Sequence, residues 1–366
     1  MRRFRVLELI KTLDTGGAEV LLTERLRMAP RHQCDYLVAC LRTSDGRLVG
    51  RLRDAGIRVV DLTSAPSILA YLRLLALVWR HAPDVINAHS PLPAGLLRPL
   101  IRLMPRRPVF VSTVHSVAYR PATMLVDGIT RGWEDRTIAV SPQVAAAPTV
   151  RGAKRLVTRV HGVDVAQQRR WADRAASIRA QFDVPVNAFL VVCVANLRPV
   201  KNHLLLIRAA EAVIAAQPHA LFLLAGDGPM RARIAAEIER RNLAGRVRML
   251  GHVAGAGRLV AAADLVVLSS TYEGLPVVVM EALAAGVPVV ATAVGGLRDL
   301  VTEGHNGILT EPGSAVALAD GIVAAMEPVL HQRLRRAAAG AERLDMAKTA
   351  TWFEDLYLEL VADRRA

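Results

Sequence analysis

Two carboxylates, Glu273 and Glu281, stand with seven residues between them in the stretch TYEGLPVVVMEALAAGVPVVA, residues 271–291, where nearly every neighbour is apolar. A carboxylate in such surroundings is costly unless hydrogen-bond donors meet it. Two of them at the mouth of an apolar helix suit a ligand rich in hydroxyl groups, such as a sugar or a ribose. Pro276 has a preset φ and no N–H to waste, so it is expected to open a helix that runs to about Ala285 and ends at Gly286. Glu273 then lies in the loop before that helix and Glu281 in its second turn, facing one crevice. Free N–H groups at the helix start favour a nearby anion such as a phosphate. The competing reading makes the two acids members of structural ion pairs. A transmembrane reading fails, because Glu281, Gly286 and Pro288 break the run into a short helix and a buried strand.

The elements that must position these groups alternate along the chain, short apolar strands with helical stretches, which predicts parallel α/β architecture. Strands are expected at residues 5–9, 36–41, 59–62, 85–88, 109–114 and 137–140. The pattern restarts at 190–195 and continues at 221–225, 247–250, 265–268 and 289–291. Two doubly wound domains, 1–165 and 166–348, fit better than one very wide sheet. A polar run at 167–170 marks the boundary, and one amphipathic helix over 349–366 packs back on the first domain. Ligands of such sheets bind beyond the carboxyl ends of the strands, so the expected site is a cleft between the domains. His115 ends one buried strand, and Asn196, Arg198 and Lys201 follow another. Taken alone, a single histidine is more often structural and a cation pair is often just solvated. Gly16 and Gly17 lie between the first strand and a helix over 18–28, where they either bring backbone N–H groups to an anion or sugar or form a plain turn.

Composition narrows the classes. The chain has 366 residues, 52% of them apolar and 4% aromatic, which suits about two globular domains and excludes disorder. Cys34, Cys40 and Cys193 give neither a disulfide framework nor metal-ligand spacing. Buried thiols, no signal peptide and a cytoplasmic protein are the expectation. The net charge of +14 is uneven: residues 1–165 carry +12 and the remainder +2. A positive face attracts phosphates or anionic lipid heads. Nucleic acid is excluded as a partner, because no binding motif accompanies the charge. The segment LLRPLIRLMPRRP, residues 96–108, alternates apolar residues with Arg98, Arg102, Arg106 and Arg107. It reads either as a helix resting on an anionic membrane or as a sheet-packed helix with a basic outer face.

Several motifs then fall in one order: GGAE at 16–19, VSTVH at 111–115, AVSPQV at 139–144, VHGVD at 160–164, VANLRPVKNHLLLIRA at 194–209, LLAGDGPMR at 223–231, VRMLGHV at 247–253, the paired-acid segment, and VGGLRDLV at 294–301. With these the chain resembles the family-4 retaining glycosyltransferases, which have the two-domain GT-B fold. The resemblance implies transfer of a hexose from a nucleotide-diphosphate sugar to an acceptor hydroxyl with retained configuration. It implies no metal and no cofactor beyond that co-substrate, and no Asp-x-Asp pair occurs in the chain. The implied acceptor is a glycan or a lipid-linked glycan held by the first domain, in cell-envelope or exopolysaccharide synthesis. The expected location is the cytoplasm, either free or, on the first reading of the basic segment, peripherally on the inner face of the plasma membrane.

By the same resemblance Arg198 and Lys201 neutralise the leaving diphosphate, and Asn196 stands where the family often has Arg. Glu281 matches the ribose-binding carboxylate and Glu273 the one facing the hexose. The backbone at Gly274, Leu275 and Pro276 approaches hexose and phosphate, Gly16 and Gly17 border the donor and acceptor crevice, and His115 lies near the donor hexose. His89 is a weaker candidate at an equivalent strand end. His161 and Asp299 stand where the family often has Asn and Glu. Rival readings are a sugar-nucleotide epimerase and a degenerate sugar-binding scaffold. A dinucleotide oxidoreductase fits poorly, because GDGPMR lacks the third glycine of the phosphate fingerprint.

Overall fold

The computed structural model describes residues 3–14, 16–44, 46–63, 67–340 and 342–365. Ala366, the last residue of the expected terminal helix, lies outside them. The chain forms two compact units, one made of 1–162 and 346–366, the other of 163–345.

The first unit begins β1 (Phe4–Thr12), α1 (Gly17–Met28), β2 (Cys34–Arg42), α2 (Arg47–Asp54), β3 (Arg58–Asp61) and α3 (Ser67–His81). It continues β4 (Val85–Ala88), α4 (Pro91–Ile101), β5 (Val109–Val114), α5 (Pro121–Arg131), β6 (Arg136–Ala139), α6 (Pro142–Ala145) and β7 (Leu156–Thr158). Its seven strands are parallel and ordered β3-β2-β1-β4-β5-β6-β7. Strand period 2 divides the core. Val6 and Ile10 of β1 join one cluster with α1 and α2, whereas Leu7 and Leu9 join another with α3 and α4.

The second unit starts with α7 (Val165–Ala172), α8 (Ala175–Gln181), β8 (Phe189–Val194), α9 (His203–Ala216), β9 (Ala220–Ala225), α10 (Arg231–Arg240) and β10 (Val247–Gly251). There follow α11 (Gly257–Ala261), β11 (Leu265–Leu268), α12 (Val277–Ala284), β12 (Val289–Thr292), α13 (Leu297–Leu300), β13 (Gly307–Thr310), α14 (Ala315–Met326) and α15 (Pro328–Ala338). Its six strands are ordered β10-β9-β8-β11-β12-β13. The polar run at 167–170 belongs to α7: the Asp164 carboxylate accepts from the Gln167 backbone N–H at 2.7 Å, which caps the helix at its start. The divide therefore falls at 162/163, just ahead of this cap.

The last helix, α16 (Met346–Arg365), returns to the first unit. Phe353, Leu356, Tyr357, Leu360 and Val361 complete the core face shared by β1, α1 and α2. Trp352 is half-buried at its edge. Two strands escape the sequence reading, β7 and β13. β7 is three residues long and mostly exposed, and β13 starts at a glycine, so neither shows an apolar run. Truncating Phe353, a fully buried ring, to Ala is expected to cost about 3–5 kcal/mol. Urea unfolding of Phe353→Ala checks this, and a loss under about 1 kcal/mol would contradict the placement of α16.

Candidate active site

In each sheet the strand order reverses once, and the loops on either side of the reversal part company. That leaves a crevice at the carboxyl ends of the two strands concerned. In the second unit the reversal lies between β8 and β11. The loop after β8 carries Asn196, Arg198 and Lys201, and the loop after β11 carries Glu273. Backbone bonds hold the β8 loop in place: Leu197 N donates to Asp227 O at 2.9 Å and Met230 N to Leu197 O at 3.0 Å. The two switch-point loops are tied to each other, with Thr271 N donating to Val200 O at 2.8 Å and Ser269 Oγ to Lys201 O at 3.0 Å.

These ties bring Lys201 Nζ to 2.7 Å from both oxygens of Glu273. Ser270 Oγ also donates to Glu273 Oε1, at 2.5 Å. The ammonium has three donors, so two on Glu273 leave a third for another acceptor. Asn196 and Arg198 are exposed beside it, and Arg198 makes no ion pair among the described residues. The competing sequence reading, Glu273 in an ion pair, thus describes a real contact, and the contact sits where ligands of such sheets bind.

Glycines behind the loop explain part of VGGLRDLV. A Cβ on Gly295 would stand 1.9 Å from Glu273 O, and one on Gly296 1.7 Å from Gly274 O. Only bare backbone fits there, and Gly296 N donates to Glu273 O at 3.1 Å. Pro276 does not open α12 as expected. It is the N-cap, with extended ψ, and Val277 is the first helical residue. Leu275 is half-buried before it, and a Cβ at Gly274 would meet nothing within 4 Å. Glu281 lies in the second turn of α12 and projects toward α7 and the start of α11: a Cβ on Gly257 would be 3.2 Å from Glu281 Oε1 and 2.9 Å from Gln168 Nε2. Burial raises the carboxyl pKa of Asp299, on α13.

In the first unit the reversal lies between β1 and β4. A cavity of about 400 Å³ opens there, lined by Lys11, Glu19, His89, His115, Tyr119 and Arg120 among others. Ala18 and Glu19 of α1 line it, whereas Gly16 is the N-cap of α1 and Gly17 its first residue. Glu19 accepts from Thr12 Oγ1 at 2.8 Å. His115 follows β5 as expected, and its Nε2 lies 2.9 Å from His89 Nδ1. His89 Nε2 in turn lies 2.7 Å from Glu8 Oε2. The sequence reading missed Glu8. Its signal is an acid in the middle of an apolar strand, between Val6 and Ile10 on the face that packs against α1 and α16.

Glu8 is fully buried and ionised. Burial opposes the charge, but Arg25 and the His89 hydrogen bond outweigh it and hold the carboxyl at about 2. Arg25 Nη2 is 2.7 Å from Glu8 Oε1, and its guanidinium lies 4.1 Å from the Phe353 ring centre. Tyr357 OH donates to Glu8 Oε1 at 3.0 Å, and Asn87 Nδ2 to Oε2 at 3.0 Å. Burial lowers the pKa of His89, and burial with the neighbouring His89 and His161 pushes His115 further down. His161, fully buried between the His115 and Phe353 rings, is lowered to about 3, chiefly by burial and then by Arg25. Arg98, expected as a surface cation, is instead buried and paired with Asp127 at 2.8 Å and Glu134 at 2.5 Å.

Residues 15–167 match the profile of glycosyltransferase family 4, and residues 175–341 that of the glycosyl transferases group 1. D-inositol 3-phosphate glycosyltransferase of Corynebacterium efficiens is 31% identical over 94% of this chain and 91% of its own. The chain belongs to the family-4, group 1 glycosyltransferases. Anabaena HepE, solved in complex with UDP, superposes on this glycosyltransferase with a TM-score of 0.84 at 25% identity, covering 97% of this chain and 100% of the other, and the architecture is GT-B. The chain spans about half the length of other curated relatives, such as N-acetyl-alpha-D-glucosaminyl L-malate synthase of Bacillus anthracis, which is 28% identical over 51% of this chain and 49% of its own.

The buried histidines make the first unit acid-sensitive. A group whose folded pKa is depressed is neutral when folded and takes up a proton on unfolding, so its stabilisation is complete above the unfolded pKa and is lost as pH falls toward the folded one. For His161 that window runs from 6.5 down to about 3. Going from pH 7 to pH 5 is expected to cost about 2 kcal/mol from this residue alone. Urea midpoints measured at the two pH values check it, and equal midpoints would contradict a neutral, buried His161.

Proposed function

We propose that this glycosyltransferase moves a hexose from a nucleotide-diphosphate sugar to an acceptor hydroxyl with retention of configuration, in cell-envelope or exopolysaccharide synthesis. The observation that carries the reading is the Lys201–Glu273 contact at the β8/β11 reversal. A cation with a spare donor faces the diphosphate, and a carboxylate faces the sugar hydroxyls. Glu281 takes the ribose hydroxyls, and Asn196 and the backbone of Gly274 to Pro276 border the donor. Arg198 stands beside Lys201, where Asn196 supplies no charge. HepE binds UDP, which favours a uridine nucleotide.

As the bond from the anomeric carbon to the phosphate stretches, charge builds on the phosphate, and Lys201 and Arg198 stabilise it. The acceptor hydroxyl attacks from the face that the phosphate leaves, and its proton passes to the departing phosphate oxygen. This scheme needs no protein nucleophile, metal ion or further cofactor. The cavity of the first unit takes the acceptor, a glycan or a lipid-linked glycan.

A membrane-surface role draws on exposed residues of the first unit. Helices α3 and α4 pack on one sheet face, and α5 packs against α4 through Arg98 and Asp127. These helices and the turn after α4 leave Leu72, Trp79, Leu96, Leu103, Leu125 and Ile129 exposed, Leu103 at 77% and Ile129 at 70%. Arg73, Arg80, Arg102, Arg106 and Arg120 are exposed around them. The acids between residues 67 and 133 are Asp84 and Asp127, and Asp127 is buried. Apolar side chains fringed by arginines without exposed carboxylates suit an anionic bilayer. No helix among the described residues is long and apolar enough to cross one.

Donor turnover with a panel of UDP-, GDP- and ADP-hexoses tests the chemistry. Lys201→Ala and Glu281→Ala are each expected to lower kcat roughly 10²-fold or more, and near-normal rates in both would reject the assignment. Vesicles rich in phosphatidylglycerol are expected to co-sediment with the protein at low salt, and the double variant Leu103→Asp, Ile129→Asp to stay in the supernatant. Equal binding to neutral vesicles, or none at low salt, would remove the membrane role.

A further inference from the structure

The polar residues at the β1/β4 reversal share one sheet face. Glu8 pairs in register with Asn87, and His89, Thr113 and His115 fall on the same parity of their strands. Together they form a hydrogen-bonded line from Glu8 through His89 to His115.

The line has one consistent set of protons. Glu8 is a carboxylate and can only accept. Its oxygens are met by Tyr357 OH, Asn87 Nδ2 and His89 Nε2, with Arg25 beside them as an ion pair. The Asn87 amide cannot be flipped, because Glu8 Oε2, which only accepts, lies 3.0 Å from its Nδ2. His89 must therefore carry its proton on Nε2. Burial disfavours a second proton on that ring, so its Nδ1 is a lone pair. His115 Nε2 lies 2.9 Å from this lone pair and must be the donor. The same burial keeps His115 neutral, and a neutral ring protonated at Nε2 has a bare Nδ1. His115 Nδ1 is buried and has no hydrogen-bond partner among the described residues, while its ring lines the 400 Å³ cavity.

We infer that Glu8 and His89 are positioning residues, which hold His115 in the Nε2-protonated form so that Nδ1 accepts a hydrogen bond from a hydroxyl of the sugar ligand. The inference rests on the proposed sugar-transfer reading for its ligand. It also separates His115 from a donor of hydrogen bonds: a hydroxyl is bound through its hydrogen, which leaves the hydroxyl oxygen richer in electrons. An ether oxygen or a carbonyl at that point offers no hydrogen and is discriminated against.

Two measurements test it. In protein labelled with 15N in the imidazole rings, two-bond proton–nitrogen correlations report which nitrogen of each ring is protonated, and His115→Gln assigns the signals. His115 is expected to show a protonated Nε2 and an unprotonated Nδ1. In transfer assays with a working nucleotide sugar, His89→Leu is expected to lower kcat roughly 10²-fold with the donor KM nearly unchanged. His89→Gln keeps an amide N–H for Glu8 and a carbonyl for His115, and should regain at least about tenfold of that loss. A protonated Nδ1 on His115, or equal rates for the two His89 variants, overturns the inference. Failure of the wild type to turn over any nucleotide sugar would instead sink the sugar-transfer reading, and the spectrum would still decide the proton arrangement.

Discussion

A carboxylate withdrawn from water must be surrounded by donors, and this constraint organises both units. Removing an ion from water costs several kcal/mol, and the cost is met only when geometry supplies an opposite charge and hydrogen bonds together. Glu8 has Arg25, Tyr357, Asn87 and His89 around it, drawn from α1, α16, β4 and the residue that follows β4. Glu273 has Lys201 and Ser270, drawn from the two loops flanking its own strand-order reversal. Elements far apart in sequence are thus forced to agree on one position to within a hydrogen bond.

The two carboxylates differ in what remains unsatisfied around them. Glu8 is fully enclosed, with Arg25, Tyr357, Asn87 and His89 packed around its two oxygens. Its influence travels outward only by ordering protons on the next ring. Glu273 is nearly as buried, but Lys201 is a quarter exposed and keeps a donor in reserve. One acid is therefore an anchor and the other part of a surface that can exchange partners. The glycines at 295 and 296 serve the second by letting backbone pack directly behind the loop, so the loop is held without a side chain filling its space.

Much of this was legible from residue order. Alternating strands and helices announced two parallel sheets, the positions after strand ends pointed to His115, Arg198 and Lys201, and an acid in an apolar stretch before a helix pointed to Glu273. Those signals are local, a period of 2 or 3.6 and a breaker residue. What stayed hidden depends on partners distant in sequence. Glu8 looks like any acid until Arg25 and Tyr357 are placed beside it. Arg98 looks like a surface cation because its counter-charges, Asp127 and Glu134, come about thirty residues later on another helix and its end. Strands β7 and β13 are too short or too exposed to show periodicity, and pairing with a neighbour alone makes them strands. Pro276 shows the ordinary error of one residue at a helix boundary, where N-cap and first turn share a composition.

The return of α16 to the first unit sets an order of assembly. Tyr357 and Phe353 close the core around Glu8 and Arg25, yet they emerge from the ribosome only after the whole of residues 163–345. Chains fold as they are made, at several residues per second, so the second unit can reach its final packing first. During that interval the earlier sheet carries an acid and a base without their roof, with apolar side chains of β1, α1 and α2 open on the same side. The nascent first unit is thus the part most exposed to chaperones and proteases, and α16 acts as the latch that ends its exposure.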